Sequence, residues 1–161
     1  MLGALSSTSR CFWAEERTPG AIRYFRMAEK PDVEETILLV EDEVLVRMPI
    51  AQYLRDCGYK VIEAVNADEA MAVLLHKDTV VDIVFSDIEM PGAIDGFGLA
   101  KWIREHRPGL DVLLAGTVPR TVQNAQQLCE QGSVPKPYDA QIVHDHIKRL
   151  LETRKARKAF E

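Results

Sequence analysis

The sequence predicts an α/β fold: a doubly wound, five-stranded parallel sheet, (βα)5 in order, with helices on both faces as a three-layer sandwich. Three observations predict it. Short apolar runs alternate with helix-period segments five times in about 120 residues. Charged residues follow directly on the runs: Glu41-Asp42-Glu43 after Ile37-Leu38-Leu39-Val40, and Ser86-Asp87 after Val80-Val81-Asp82-Ile83-Val84-Phe85. With 161 residues, 47% hydrophobic and 28% charged, the chain holds one domain with a core and is short for two.

Residues 1 to about 35 carry no firm periodicity. Ser6-Ser7-Thr8-Ser9 and Thr18-Pro19-Gly20 are loop-like, while Cys11-Phe12-Trp13 and Ile22-Arg23-Tyr24-Phe25 are isolated apolar patches. The expectation for residues 1–35 is a poorly structured extension, with a docking arm as the alternative; Met27 reads as an alternative start. The folded domain is expected over 36–152, and 153–161 as a helical or frayed tail.

Ile37 to Val40 reads as a buried first strand. A first helix follows over Val44 to Asp56, with Leu45, Met48, Ala51 and Leu54 at helical spacing and Cys57-Gly58 ending it. Pro49 lies inside that pattern and predicts a late start or a kink. Tyr59 to Ala64 is the second strand, and Asn66 or Asp68 caps a second helix that faces Ala70, Val73 and Leu74 inward. The third strand is Asp82 to Ser86. After a loop over 88–94, Asp95 caps a third helix to His106 with Leu99, Trp102 and Ile103 as its stripe, and Pro108-Gly109 ends it. Asp111 to Ala115 is the fourth strand. A fourth helix over about 120–130 is rich in Gln and Asn and weakly apolar. Gly132 to Pro135 gives a very short fifth strand. The fifth helix runs from Asp139 toward Arg154 with Ile142, Ile147, Leu150 and Leu151 buried.

A formal charge of -5 gives no footprint for nucleic acid or an anionic membrane surface. The basic stretch from Lys148 to Lys158 reads as the solvated face of a terminal helix. Cys11, Cys57 and Cys129 are odd in number and far apart, which suits a reducing cytoplasm better than a disulfide scaffold or a zinc site. No signal peptide or apolar span of membrane length is read.

In a parallel sheet, residues just past the strands gather at one edge, where open α/β proteins bind ligands. That edge receives Glu41, Asp42 and Asp87, and Lys136 joins them beyond the fifth strand with Pro137 fixing its approach. Clustered carboxylates repel one another, and a hard divalent cation relieves this. The expected ligands of Mg²⁺, with Mn²⁺ as the alternative, are Asp42 and Asp87 directly, Glu41 through a water, and the Glu89 backbone carbonyl. Asp87 is placed to attack phosphorus and become an acyl phosphate, with the Lys136 ammonium stabilising the equatorial oxygens.

These residues resemble the receiver domain of bacterial two-component response regulators. The resemblance covers about residues 36 to 152 and rests on ILLVEDE at 37–43, DIEMPG at 87–92, DGFGLA at 95–100 and KPY at 136–138. It implies that Glu41 and Asp42 are the acidic pair, Asp87 the phosphoacceptor, Glu89 the residue whose carbonyl meets the metal, and Lys136 the invariant lysine. It implies a partner too: a histidine kinase or histidine phosphotransfer protein donates the phosphoryl group, which is later lost by hydrolysis. This is self-modification with Mg²⁺, not conventional turnover. A stand-alone, cytoplasmic receiver signalling by protein contact is the expected form. The face of the fourth helix, fifth strand and fifth helix is its interaction surface and a candidate homodimer face.

Two positions depart from the family. Where Thr or Ser ends the fourth strand, this sequence has Gly116, with Thr117 next; the aromatic switch position is Ser133. Losing one hydrogen bond to a charged phosphoryl group removes about 1.5–3 kcal/mol of preference for an active state. Asp87 is therefore expected to accept phosphate while the conformational response is weak or runs another way through the fourth helix. The rival reading is a pseudo-receiver that binds partners without phosphorylation. A haloacid-dehalogenase-like phosphatase lacks its Asp-x-Asp here, and a flavodoxin-like redox protein lacks its phosphate loop.

Overall fold

The computed structural model describes residues 35–116, 133–134 and 139–159. Its strands are β1 (Thr36–Val40), β2 (Lys60–Ala64), β3 (Ile83–Asp87), β4 (Asp111–Ala115) and β5 (Ser133–Val134). Its helices are α1 (Val44–Asp56), α2 (Ala67–Leu75), α3 (Gly96–His106) and α4 (Ala140–Lys158), the last being the expected fifth helix. The expected helix over 120–130 lies outside the described residues, as do residues 1–34.

The five strands form one parallel sheet in the order β2-β1-β3-β4-β5. Both faces are covered, which is why the strands read as continuous apolar runs. Ile37, Leu39, Ile83, Phe85, Leu113 and Ala115 pack on one side with Ile50, Ala51 and Leu54 of α1 and Val143, Ile147 and Leu150 of α4. Leu38, Val40 and Val84 point the other way, onto Ala70 and Leu74 of α2 and Leu99 and Ile103 of α3. Each buried Val, Leu, Ile or Phe side chain among these contributes about 1.5–3 kcal/mol relative to exposure. The predicted doubly wound architecture is thus observed.

Local chemistry sets the ends of the helices. Asn66 Oδ1 accepts from the Glu69 N–H at 2.8 Å, and Glu69 reaches back to the Val65 N–H at 3.0 Å, so α2 starts on a reciprocal cap. Asp95 accepts from the Gly98 N–H at 2.8 Å to start α3, and Asp139 from the Gln141 N–H at 2.7 Å to start α4. At the end of α1, Gly58 takes φ +101°, with its N–H on the Arg55 carbonyl and the Tyr59 N–H on the Leu54 carbonyl. Glycine permits this left-handed closure.

Several expectations need correction. The helix α1 starts at Val44 despite Pro49, which sits in its second turn. Pro49 has no N–H to offer the Leu45 carbonyl one turn before it, and Leu45 is an exposed residue. Leu45 is 77% exposed and Met48 61%, so neither belongs to the core stripe; Ile50 takes that place. Ile142 of α4 is likewise 47% exposed, while Val143 is fully buried. In both cases helical spacing admitted two neighbouring faces, and packing on the sheet chose one.

The α4 helix continues to Lys158, and its last turns meet acids at the opening ends of the strands. Arg154 donates to the Asp82 carbonyl oxygen, Lys155 Nζ lies 2.5 Å from Glu35 Oε1, and Arg157 Nη2 lies 2.7 Å from Asp111 Oδ1. This basic stretch is therefore more than a solvated face. Lys155 and Arg157 are well exposed, so their pairs are worth little individually.

Candidate functional site

The strand order reverses around β1, whose neighbours are β2 on one side and β3 on the other. The crevice between the ends of β1 and β3 is the topological switch point, where doubly wound sheets hold ligands. Glu41 and Asp42 leave β1 there, and Asp87 is the last residue of β3 rather than one beyond it.

Glu41, Asp42 and Asp87 each offer one carboxylate oxygen, all within 4.8 Å of one another. Glu41 and Asp87 are fully buried, whereas Asp42 is exposed at the mouth. The Glu41 N–H donates to the Ala64 carbonyl at 3.1 Å, and its Oε1 accepts from the Glu43 N–H at 3.2 Å. Asp87 is fixed by its surroundings. The Ser86 hydroxyl donates to its carbonyl at 2.9 Å, and the next N–H, of Ile88, donates to Ala115 at 2.8 Å.

Three acidic groups converging with two of them buried is an expensive arrangement without positive charge nearby. The donor set is hard oxygen only, which suits Mg²⁺ or Mn²⁺ and not a soft metal. Oxygens sharing one Mg²⁺ directly lie up to about 4.2 Å apart, so a cation bound by two carboxylates, with the third reached through water, spans this cluster. Gly116 adds to the fit. It has φ +120°, and a Cβ there would lie 3.2 Å from Asp87 Oδ1. The backbone thus leaves the Asp87 carboxylate room that any other residue would take.

Of the remaining expected site residues, Thr117 and Lys136, with Pro137, lie outside the described residues. Ser133 is described by its backbone alone, paired with Leu114 in β5. Glu89 is exposed, two residues past Asp87.

The response regulator receiver domain family matches residues 37–148. The chain belongs to this family. Its receiver is 33% identical over 119 residues to the sensor kinase CckA of Brucella abortus, covering 73% of this chain and 12% of that protein. It is 33% identical over 121 residues to the transcriptional regulatory protein ResD of Bacillus subtilis, covering 73% and 48%. The chain thus spans at most about half the length of these relatives. Among solved structures, NtrX of Brucella abortus in complex with ATP aligns with a TM-score of 0.66 at 30% identity, covering 78% of this chain and 28% of that one. The response regulator TrrA of Thermotoga maritima in complex with Mg²⁺ and BeF aligns with a TM-score of 0.63 at 26% identity, covering 72% and 98%.

As a two-component receiver, the domain takes a phosphoryl group on an aspartate of the Glu41, Asp42 and Asp87 cluster. The all-carboxylate cluster supports a divalent cation such as Mg²⁺ at this site. Among the described residues, no helix is long and apolar enough to cross a membrane.

Sequence reading missed two residues that shape this receiver's site. Gly96 opens α3 against the backbone of Asp87 and Ile88, with no room for a side chain. Arg47 donates to the backbone carbonyl oxygen of Glu41 at 2.7 Å. The available signals were the glycine after the Asp95 cap and a basic residue one helical turn past the acidic triplet.

Proposed function

We propose that Asp87 is the phosphoacceptor, taking its phosphoryl group from a histidine kinase or a histidine phosphotransfer protein in the cytoplasm. The observation that carries this is its burial at the end of β3 with an oxygen within 4.8 Å of Asp42 and Glu41. One Asp87 oxygen forms the bond to phosphorus while the bond to the donor's imidazole nitrogen breaks. Bound Mg²⁺ supplies positive charge to the phosphoryl oxygens and to the carboxylates. Asp42 is its direct protein ligand beside Asp87, Glu41 acts through water, and the Glu89 carbonyl completes the protein's share. The Lys136 ammonium pairs with a phosphoryl oxygen, and Thr117 or the Gly116 N–H takes the place of the missing hydroxyl. Signal leaves through the face of residues 120–130, β5 and α4, which is also the candidate homodimer face.

Incubation with acetyl phosphate and Mg²⁺, followed by intact mass, tests the reading. One added phosphoryl mass is expected, lost in Asp87→Asn and lost when EDTA removes the cation. A favourable observation exists for the rival pseudo-receiver: Gly116 stands at the hydroxyl position with a φ only glycine adopts readily. No added mass in the wild-type chain, with partner binding intact, would establish that rival instead.

A further inference from the structure

The loop that carries the acidic pair is three residues long, Glu41 to Glu43, between the end of β1 and the start of α1. Glu43 at the head of α1 makes no side-chain cap, and the first turn of the helix holds no acidic residue. An arginine follows instead. Arg47 lies early in α1, where its charge opposes the helix dipole, so it is a poor choice for the helix itself. Its contacts lie elsewhere.

Arg47 Nη1 donates to the Glu41 carbonyl at 2.7 Å and to the Asp42 carbonyl at 3.3 Å. Its Nε donates to Glu63 Oε2 on β2 at 3.2 Å. Glu63 is held in turn, with Oε1 accepting from Arg55 Nη2 at 2.7 Å, and Arg55 also donates to the Val61 carbonyl at 3.1 Å. The guanidinium fork therefore ties the backbone of both acidic residues to the neighbouring strand. Only 13% of the Arg47 side chain is exposed, and its bonds to Glu41 and Glu63 are part-buried, so water does not readily replace those two; the bond to Asp42 is exposed.

We propose that Arg47 is a positioning residue for the cation site: by gripping the carbonyl oxygens of Glu41 and Asp42, and being gripped by Glu63, it sets where the two carboxylates stand. This rests on the reading of Glu41, Asp42 and Asp87 as a cation site. Arg47 touches neither the cation nor the phosphoryl group. Planar, forked hydrogen bonding is what the role needs, and lysine does not supply it.

The sign of the effect separates this role from simple charge. Removing a positive charge beside an acidic site makes the site more attractive to a cation, so a charge-only Arg47 would predict tighter binding in Arg47→Gln and no change in Arg47→Lys. A positioning Arg47 predicts weaker binding in both. The test is Mn²⁺ titration of the full chain, with free Mn²⁺ read by electron paramagnetic resonance, alongside thermal melts of each variant. The expected result is a rise in the Mn²⁺ dissociation constant of roughly 5-fold or more in both variants, with Arg47→Lys still giving a cooperative melt. Unchanged affinity in Arg47→Lys, or tighter binding in Arg47→Gln, overturns the proposal. Asp42→Asn serves as the separate check. If Mn²⁺ binding survives that change undiminished, the cation site itself is wrongly placed and the inference falls with it.

Discussion

Gly96 and Asp87 lie so close that a Cβ added to Gly96 would overlap the Asp87 carbonyl oxygen and stand 2.8 Å from the Ile88 Cα. The first turn of α3 therefore rests directly on the strand end that presents the Asp87 carboxylate. The Gly96 N–H donates to the Ile88 carbonyl at 3.0 Å and fixes the contact. The atoms in the way are backbone, which cannot rotate aside. Gly96→Ala is expected to cost about 1–3 kcal/mol through overpacking and to reduce labelling of Asp87. Urea denaturation and acetyl phosphate labelling check it; a variant with wild-type values in both would show the contact to be slack.

Placing the family's hydroxyl at Gly116 should not improve phosphoryl acceptance. Gly116→Ser forces an L-residue to φ +120° and places a Cβ 3.2 Å from Asp87 Oδ1. The expected cost is about 1–3 kcal/mol of backbone strain, with labelling by acetyl phosphate equal to or below wild type. Stronger labelling in a variant of unchanged stability would mean that the strand end rebuilds to accept the hydroxyl.

Acid should loosen the packing of α1 against α4 through His144. This imidazole is 8% exposed, with its ring centroid 6.1 Å from that of Tyr53 and 5.8 Å from that of Tyr59. Burial holds it below its ordinary value of 6.5; Asp145 pulls upward and Lys148 downward. The unfolded chain therefore takes up the proton first. Stability is full above the unfolded value near 6.5 and is lost as the pH falls from there toward the lower folded value. Melting temperatures between about pH 7.5 and 5.5 should fall more steeply in wild type than in His144→Phe. Parallel curves would exclude His144 as the group responsible.

A smaller effect is expected at the start of α2. Asn66→Ala removes the bond to the Glu69 N–H and should cost about 1 kcal/mol, read by urea denaturation, with labelling of Asp87 unchanged. The carboxylate cluster found among the described residues draws on the end of β3 and the loop after β1, not on α2.

The pattern of apolar runs, caps and breakers made the sheet and its helices legible, since a strand buried on both faces and a helix that starts at Asp95 leave local marks. Ile142, Leu45 and Met48 were misassigned because helical spacing fixes a period but not a phase, and only contact with the sheet selects the phase. The acidic pair and Asp87 were legible for a different reason: strand ends in a parallel sheet share one edge whatever the details. Gly96 and Arg47 were not. Their roles depend on how near α3 comes to Asp87 and on which carbonyl oxygens face α1, and neither distance is written in residue spacing.

By itself the sequence determined which residues would meet: carboxylates at the ends of β1 and β3, because alternating β/α units permit few arrangements. Tertiary structure alone decided how they are held, with Asp87 buried beneath Gly116 and against Gly96, and the acidic loop drawn to β2 through Arg47 and Glu63. The physical reason is range. Hydrophobic pattern acts over whole elements and survives shifts of several residues, whereas a cation site depends on positions set to fractions of an ångström by packing between elements distant in the chain.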